Sequence, residues 1–169
     1  MMALLLISLS GCSSNEVDKQ QAASIKTEIA NLDAEIAAAE KANEEYSGGL
    51  VKALITSRIE TLKQTRAMLQ QRDKAWTFGT RMNYTVDGKS FVLPDEVKQV
   101  LPEIERELAD NKAKIEEQEK TVSFYSGGLV QALSISTLET MKQTQAMLEQ
   151  RRLAVKYELP QYLGFQKKD

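Results

Sequence analysis

Few side chains in this 169-residue chain can do covalent or acid–base chemistry. Two adjacent carboxylate pairs, Glu44-Glu45 and Glu116-Glu117, come nearest to an acid–base or metal-holding pair. Consecutive positions on a helix point in different directions, so both pairs read as solvated surface. The chain has no His, which removes imidazole catalysis, Ser-His-Asp and Cys-His nucleophiles and nearly all zinc chemistry. No Gly-rich phosphate loop or nucleophile motif occurs. The expectation is a protein that is not an enzyme, with no cofactor and no metal. One reactive atom remains, the thiol of the single cysteine, Cys12.

A second set of residues earns attention by recurring. Tyr46-Ser47-Gly48-Gly49-Leu50-Val51 returns as Tyr125-Ser126-Gly127-Gly128-Leu129-Val130, and residues 46–72 match residues 125–151 at 19 of 27 positions without a gap. The matching polar positions include Ser57/Ser136, Glu60/Glu139, Thr61/Thr140, Lys63/Lys142, Gln64/Gln143, Thr65/Thr144, Gln71/Gln150 and Arg72/Arg151. Ser57, Thr61 and Thr65 lie one helical turn apart, as do Glu60 and Gln64. Two readings stay open. These groups form a duplicated face that grips a protein or glycan, with Ser57, Glu60, Thr61, Gln64, Ser136, Glu139, Thr140 and Gln143 as its candidates. Otherwise they bond to one another across a pseudo-two-fold helix interface inside the protein, or simply reflect recent duplication. Tyr46 and Tyr125, beside Gly48-Gly49 and Gly127-Gly128, are either exposed aromatic tips or rings that close the end of a helix seam.

The elements that position these residues follow from spacing. Ile25, Ile29, Leu32, Ile36, Ala39, Asn43 and Tyr46 alternate steps of four and three, the a/d seam of a coiled coil. Ile104, Leu108, Asn111, Ile115, Gln118, Val122 and Tyr125 repeat it, with Asn111 and Gln118 as polar seam residues of the kind that fix register. Each Ser-Gly-Gly ends one helix and admits the next within a few residues, which makes the two helices antiparallel neighbours. Leu50, Leu54, Ile55, Ile59, Leu62, Met68 and Leu69 supply the returning helix of the first copy. Leu129, Leu133, Leu138, Met141, Met147 and Leu148 supply the second. Charge agrees with this pairing: residues 16–46 carry −5 against +4 in 50–74, and residues 95–125 carry −4 against +2 in 129–156.

Between the copies, Tyr84 to Leu93 alternates around Asp87-Gly88, a signal for a two-residue β-hairpin that would pack through Tyr84, Phe91, Trp76 or Phe78. Pro94-Asp95-Glu96 reads as the start of the third long helix, bent or interrupted by Pro102. The fold expected is all-α: two tandem antiparallel coiled-coil-like helical hairpins in a four-helix up-down bundle, with a small β-hairpin insertion. Its domains are residues 1–11 as leader, 12–17 as tether, 18–76 as the first hairpin, 77–94 as the β-hairpin linker, 95–156 as the second hairpin and 157–169 as a tail beside the central hairpin. Composition fits: 42% of residues are apolar and only 6% aromatic, a core of Ala, Leu, Ile and Met. A net charge of −2 removes the bulk attraction on which non-specific nucleic-acid binding depends.

The amino-terminal residues give location. Met1 to Ser10 form an apolar run too short to span a bilayer and of the length of a signal-peptide core, although no Lys or Arg precedes it. It leads into Leu9-Ser10-Gly11-Cys12, which resembles the lipobox of bacterial lipoproteins. That resemblance implies cleavage before Cys12, a lipid on its sulfur and an acylated new amino terminus, enough acyl chains for stable anchoring. Gly11-Cys12-Ser13-Ser14-Asn15 resembles the start of the Braun major outer-membrane lipoprotein. Ser after the lipidated Cys then implies the inner leaflet of the outer membrane, facing the periplasm. Members of that family end in a Lys joined to peptidoglycan; this chain ends Lys167-Lys168-Asp169, which departs from the pattern. The function expected is a helical interaction module for another envelope protein, acting as adaptor, assembly factor or immunity-type protein. A non-covalent spacer between membrane and peptidoglycan, or a carrier of an apolar ligand inside the bundle, are the alternatives.

Overall fold

The structure, a computed structural model, describes residues 13–77, 85–86, 89–90, 99–157 and 159. Among these residues the protein is all-α, with four long helices: α1 (Ser13–Glu44), α2 (Gly49–Thr77), α3 (Leu101–Phe124) and α4 (Gly128–Lys156). Between α2 and α3, β1 (Thr85–Val86) pairs antiparallel with β2 (Lys89–Ser90), Thr85 opposite Ser90 and Val86 opposite Lys89. Asp87 and Gly88, and the expected hairpin contacts of Phe78, Tyr84, Phe91 and the Trp76 side chain, lie outside the described residues, as does Cys12.

Within each repeat the pairing is antiparallel. Asp33 meets Arg66 at 2.7 Å and Glu40 meets Lys63 at 2.8 Å, so positions climb on α1 as they descend on α2. Asn111 Nδ2 donates to Met141 O at 3.0 Å and to Gln145 Oε1 at 2.8 Å, and Gln118 Nε2 donates to Ser134 O at 3.0 Å, which sets α3 against α4 in the same sense. Both polar seam residues are thereby satisfied, as register-fixing residues must be when half-buried. The acidic-on-basic pairing also appears as Glu119–Lys142 at 2.9 Å. These pairs are largely exposed, so each contributes only about 0–1 kcal/mol.

The seam of α1 is buried as its spacing requires: Ile25, Leu32, Ile36 and Ala39 are enclosed and Ile29 packs against them. The largest core joins Ile25, Leu32 and Ile36 to Leu62, Met68 and Leu69 of α2 and to Ala146, Leu153 and Ala154 of α4. A second cluster near the first tip holds Ala39, Ile55 and Ile59 with Tyr46 and Val51, and a third joins α3 to α4 through Ile104, Leu108 and Val155. The two hairpins meet where α2 packs on α4. Cross-contacts there climb together, Arg58 with Glu139, Thr61 with Gln143 and Thr65 with Gln150, so α2 and α4 run parallel and both Gly-Gly tips lie at one end.

Two boundaries differ from expectation. The helix begins at Ser13, so residues 13–17, expected as tether, are its first turns. Gln99 and Val100 form a turn and α3 begins at Leu101, with Pro102 in its first turn, where a missing N–H is harmless and φ near −65° suits the helix. The expected start at Pro94-Asp95-Glu96 lies outside the described residues. The first residues of the tail belong to the main core. Tyr157 and Leu159 are buried, Tyr157 Oη shares a 2.8 Å hydrogen bond with Ser24 Oγ, and Leu159 N–H donates to Ala154 O at 2.8 Å. That backward bond is of the Schellman kind, which brings an apolar residue past the helix end against its last turns.

Candidate functional site

Gly49 and Gly128 open α2 and α4 with φ of +86° and +80°, a conformation that residues with a Cβ resist. Gly48, Gly127 and Gly128 are exposed with open space around them, so the glycines answer to backbone shape and not to crowding. A second device closes each turn. Lys52 Nζ donates to Tyr46 O at 2.9 Å, and at the equivalent position Gln131 Nε2 donates to Tyr125 O at 2.8 Å. The spacing rules did not single out Lys52 and Gln131; their common feature is a long donor side chain at one repeat position. Tyr46 is half-buried against Ala39, Ile55 and Ile59, and burial, with the charges of Glu139 and Glu45, pushes its phenol above the ordinary range. Tyr125 is 40% exposed and Phe124 83% exposed. The first tip is a packed seam end; the second is an open aromatic one.

The eight candidate polar residues do not form one face. Thr61, Glu139 and Gln143 are turned into the α2·α4 joint, where Gln143 Nε2 donates to Thr61 Oγ1 at 3.3 Å. One turn on, Gln150 Nε2 donates to Thr65 Oγ1 at 3.0 Å. Glu139 is buried and lies 3.2 Å from Arg58 and 3.9 Å from Lys142. The Arg58–Glu139 contact is one of charge without hydrogen-bond alignment, for Glu139 Oε2 and Arg58 Nε have no hydrogen-bond partner among the described residues. Ser57, Glu60, Gln64 and Thr140 remain exposed, and Ser136 is half-buried. Thr61, Ser136 and Thr140 donate to the carbonyls of Ser57, Ala132 and Ser136 four residues back, local bonds that leave a hydroxyl lone pair available.

Beside this joint lies a cleft of about 320 Å³ lined by Glu35, Ala38, Arg58, Ile115, Glu139, Lys142 and their neighbours. Glu35 is exposed as a residue, yet desolvation of its carboxyl in the cleft and the charge of Glu149 push it above its usual range, with Arg58 opposing. At the base, burial would raise Glu28, yet hydrogen bonds and charge from Lys156 and Arg152 outweigh it and hold the carboxyl below its usual range. Lys156 Nζ is 2.8 Å and Arg152 Nη2 3.1 Å from Glu28; burial depresses both cations, but the carboxylates of Glu149 and Glu28 around Arg152, and Glu28 at Lys156, raise them overall. This base cluster joins α1 to α4 and was not foreseen. Among the described residues, no three His, Cys, Asp or Glu side chains gather as a metal site.

Large apolar side chains stand exposed along α4: Leu129 at 74%, Val130 at 53%, Leu133 at 59% and Met147 at 56%. Val130, Leu133, Thr137, Thr140, Thr144 and Met147 alternate steps of three and four, a heptad stripe with no partner in the described chain, and Thr137, Thr140 and Thr144 are exposed with it. At the equivalent places on α2, Arg58 and Thr61 are half-buried and Thr65 and Met68 are buried. Among the described residues no helix is long and apolar enough to cross a membrane. Compared with protein-family models, curated proteins and solved structures, the chain matches none of them.

Proposed function

We propose that this chain is a non-catalytic lipoprotein, held by lipid on Cys12 at the periplasmic face of the bacterial outer membrane, whose helices bind another protein. The carrying observation is the α4 stripe. Three large apolar side chains, Val130, Leu133 and Met147, share one coiled-coil stripe with three exposed threonines, the kind of helix face that is covered by a partner helix elsewhere in the same molecule. The parallel course of α2 and α4 supports an up-down bundle with its second tip directed away from the lipid, and the Thr85–Val86 to Lys89–Ser90 pairing supports a β-hairpin between its halves. An apolar-ligand carrier is less well supported, because the cleft is lined by Glu35, Arg58, Glu139 and Lys142. A spacer needs the length but has no use for the exposed stripe.

A photo-activatable residue placed at Leu133 or Met147 in growing cells tests the reading. Irradiation should give protein adducts from both positions and none from Lys114, which is exposed on α3. Absence of any adduct at the stripe overturns the interaction reading. Fractionation of a Cys12→Ala chain, which should leave the membrane fraction, tests the anchor separately.

A further inference from the structure

We infer that the partner of the α4 stripe is a second copy of this chain, whose α2 lies along it as α4 lies along α2 within one chain. The inference deepens the interaction reading above and rests on it. It begins with the register of the internal joint. The two repeats are offset by 79 residues, so Glu139, Gln143 and Gln150 are the counterparts of Glu60, Gln64 and Gln71. Arg58 therefore meets the counterpart of Glu60, Thr61 that of Gln64, and Thr65 that of Gln71. Equivalent helices meet through two different faces. The joint is heterologous, and a single heterologous joint between two equivalent units leaves one unused face on each unit, to be filled by further units in a row or a ring.

Each chain consequently keeps one free copy of both faces. Glu60, Gln64, Ala67 and Gln71 are exposed on α2, and Thr137, Thr140, Thr144 and Met147 are exposed on α4. The residues needed for a second joint are present. Thr140 against Gln64 repeats Thr61 against Gln143, and Thr144 against Gln71 repeats Thr65 against Gln150. Met147 and Ala67 stand for Met68 and Ala146, which share the main core. Parallel helices at every joint would keep all tips at one end, the arrangement that copies anchored in one membrane surface require.

The joint between chains is weaker than the one within. Thr137 stands where Arg58 pairs with Glu139, and Lys74 stands where Leu153 is buried. Asp73 and Glu107 take the places of Arg152 and Glu28, replacing an ion pair by like charges. Association is thus concentration-dependent, favoured by crowding in a membrane plane, and grows as rows.

Sedimentation equilibrium of the full chain in density-matched detergent decides the matter. Wild-type mass should rise with concentration beyond a dimer. Leu133→Asp with Met147→Glu disables the α4 face, and Gln64→Arg with Gln71→Arg disables the α2 face; each double variant should associate at least tenfold more weakly while melting as the wild type does, since all four residues are exposed. An equimolar mixture of the two variants should form a dimer and stop, because one working joint remains. Wild type that stays monomeric at all concentrations overturns the inference; stripe adducts to a different protein in cells would then leave the interaction reading standing. A Gln64→Arg/Gln71→Arg chain that dimerises alone shows symmetric α4–α4 pairing and overturns the head-to-tail joint.

Discussion

Helices α2 and α4 carry nearly the same sequence and lead different lives. Met68 is 5% exposed in the main core, while its counterpart Met147 is 56% exposed. Glu139 is buried against Arg58, while its counterpart Glu60 is exposed. Thr65 accepts a hydrogen bond from Gln150, while Thr144 is exposed and donates only to the carbonyl of Thr140. Repeat identity specifies two faces on each helix, and topology decides which face is used. Helix α2 spends one and α4 the other.

The largest effect that can break this comparison is in the core. Met68→Ala should destabilise by about 2–5 kcal/mol, since it removes buried volume from a cluster shared by α1, α2 and α4. Met147→Ala in the monomeric state should stay within about 0.5 kcal/mol. Denaturant unfolding of both measures the difference directly. Equal losses would mean that Met147 is covered in the free chain and that the two helices are not distinct in environment.

Much of this was legible beforehand, and the part that was not has an identifiable source. The a/d spacing of Ile25, Leu32, Ile36 and Ala39 located the seam because burial on a helix follows its period. The Gly-Gly turns were readable because only glycine takes φ of +86° and +80° at no steric cost. The choice between a binding face and an internal joint was not readable from the matching residues, which are the same in both copies. It was written in the mismatches. Arg58 against Thr137 decides which copy can hold a buried Glu, and Gln70 against Glu149 decides which can hold an arginine at the base. Arg66 pairs with Asp33, whereas Gln145 at the same repeat position bonds Asn111. Tyr157 and Leu159 escaped notice because a two-residue apolar extension past a helix end has no period to detect.

A smaller effect sharpens the role of the mismatches. Glu139→Gln leaves Arg58 half-buried beside an uncharged partner and should cost about 2 kcal/mol, less than a fully enclosed pair because the cleft admits water. Glu60→Gln should cost no more than about 0.5 kcal/mol. A Thr137→Arg chain restores at the free face the cation that Arg58 provides internally. If the register of the internal joint also governs contact between chains, this variant should associate more tightly than wild type, at low salt most of all.

The smallest effect separates the bases of the two hairpins and is read through pH. Glu28 lies between Arg152 and Lys156, and its carboxyl titrates below the ordinary value of 4.5. A group whose folded pKa is depressed binds fewer protons folded than unfolded. Its contribution is therefore whole above about pH 4.5 and is lost as acid carries it down through the folded value. Glu35 acts in the opposite sense: desolvation in the cleft and Glu149 raise it, so its proton is held more tightly in the folded chain, and acidification from neutral pH relieves the penalty of its charge. Stability should pass through a broad maximum on the acid side of neutrality and fall below pH 4.5. In Glu28→Gln the fall should be shallower and neutral-pH stability lower, and in Glu35→Gln neutral-pH stability should rise. Glu107→Gln, at the counterpart position on exposed α3, is the control and should melt as the wild type does. If Glu28→Gln and Glu107→Gln gave the same melting curves across pH 3–7, the α1–α4 base cluster would add nothing to the α2·α4 joint in holding the first hairpin to the second.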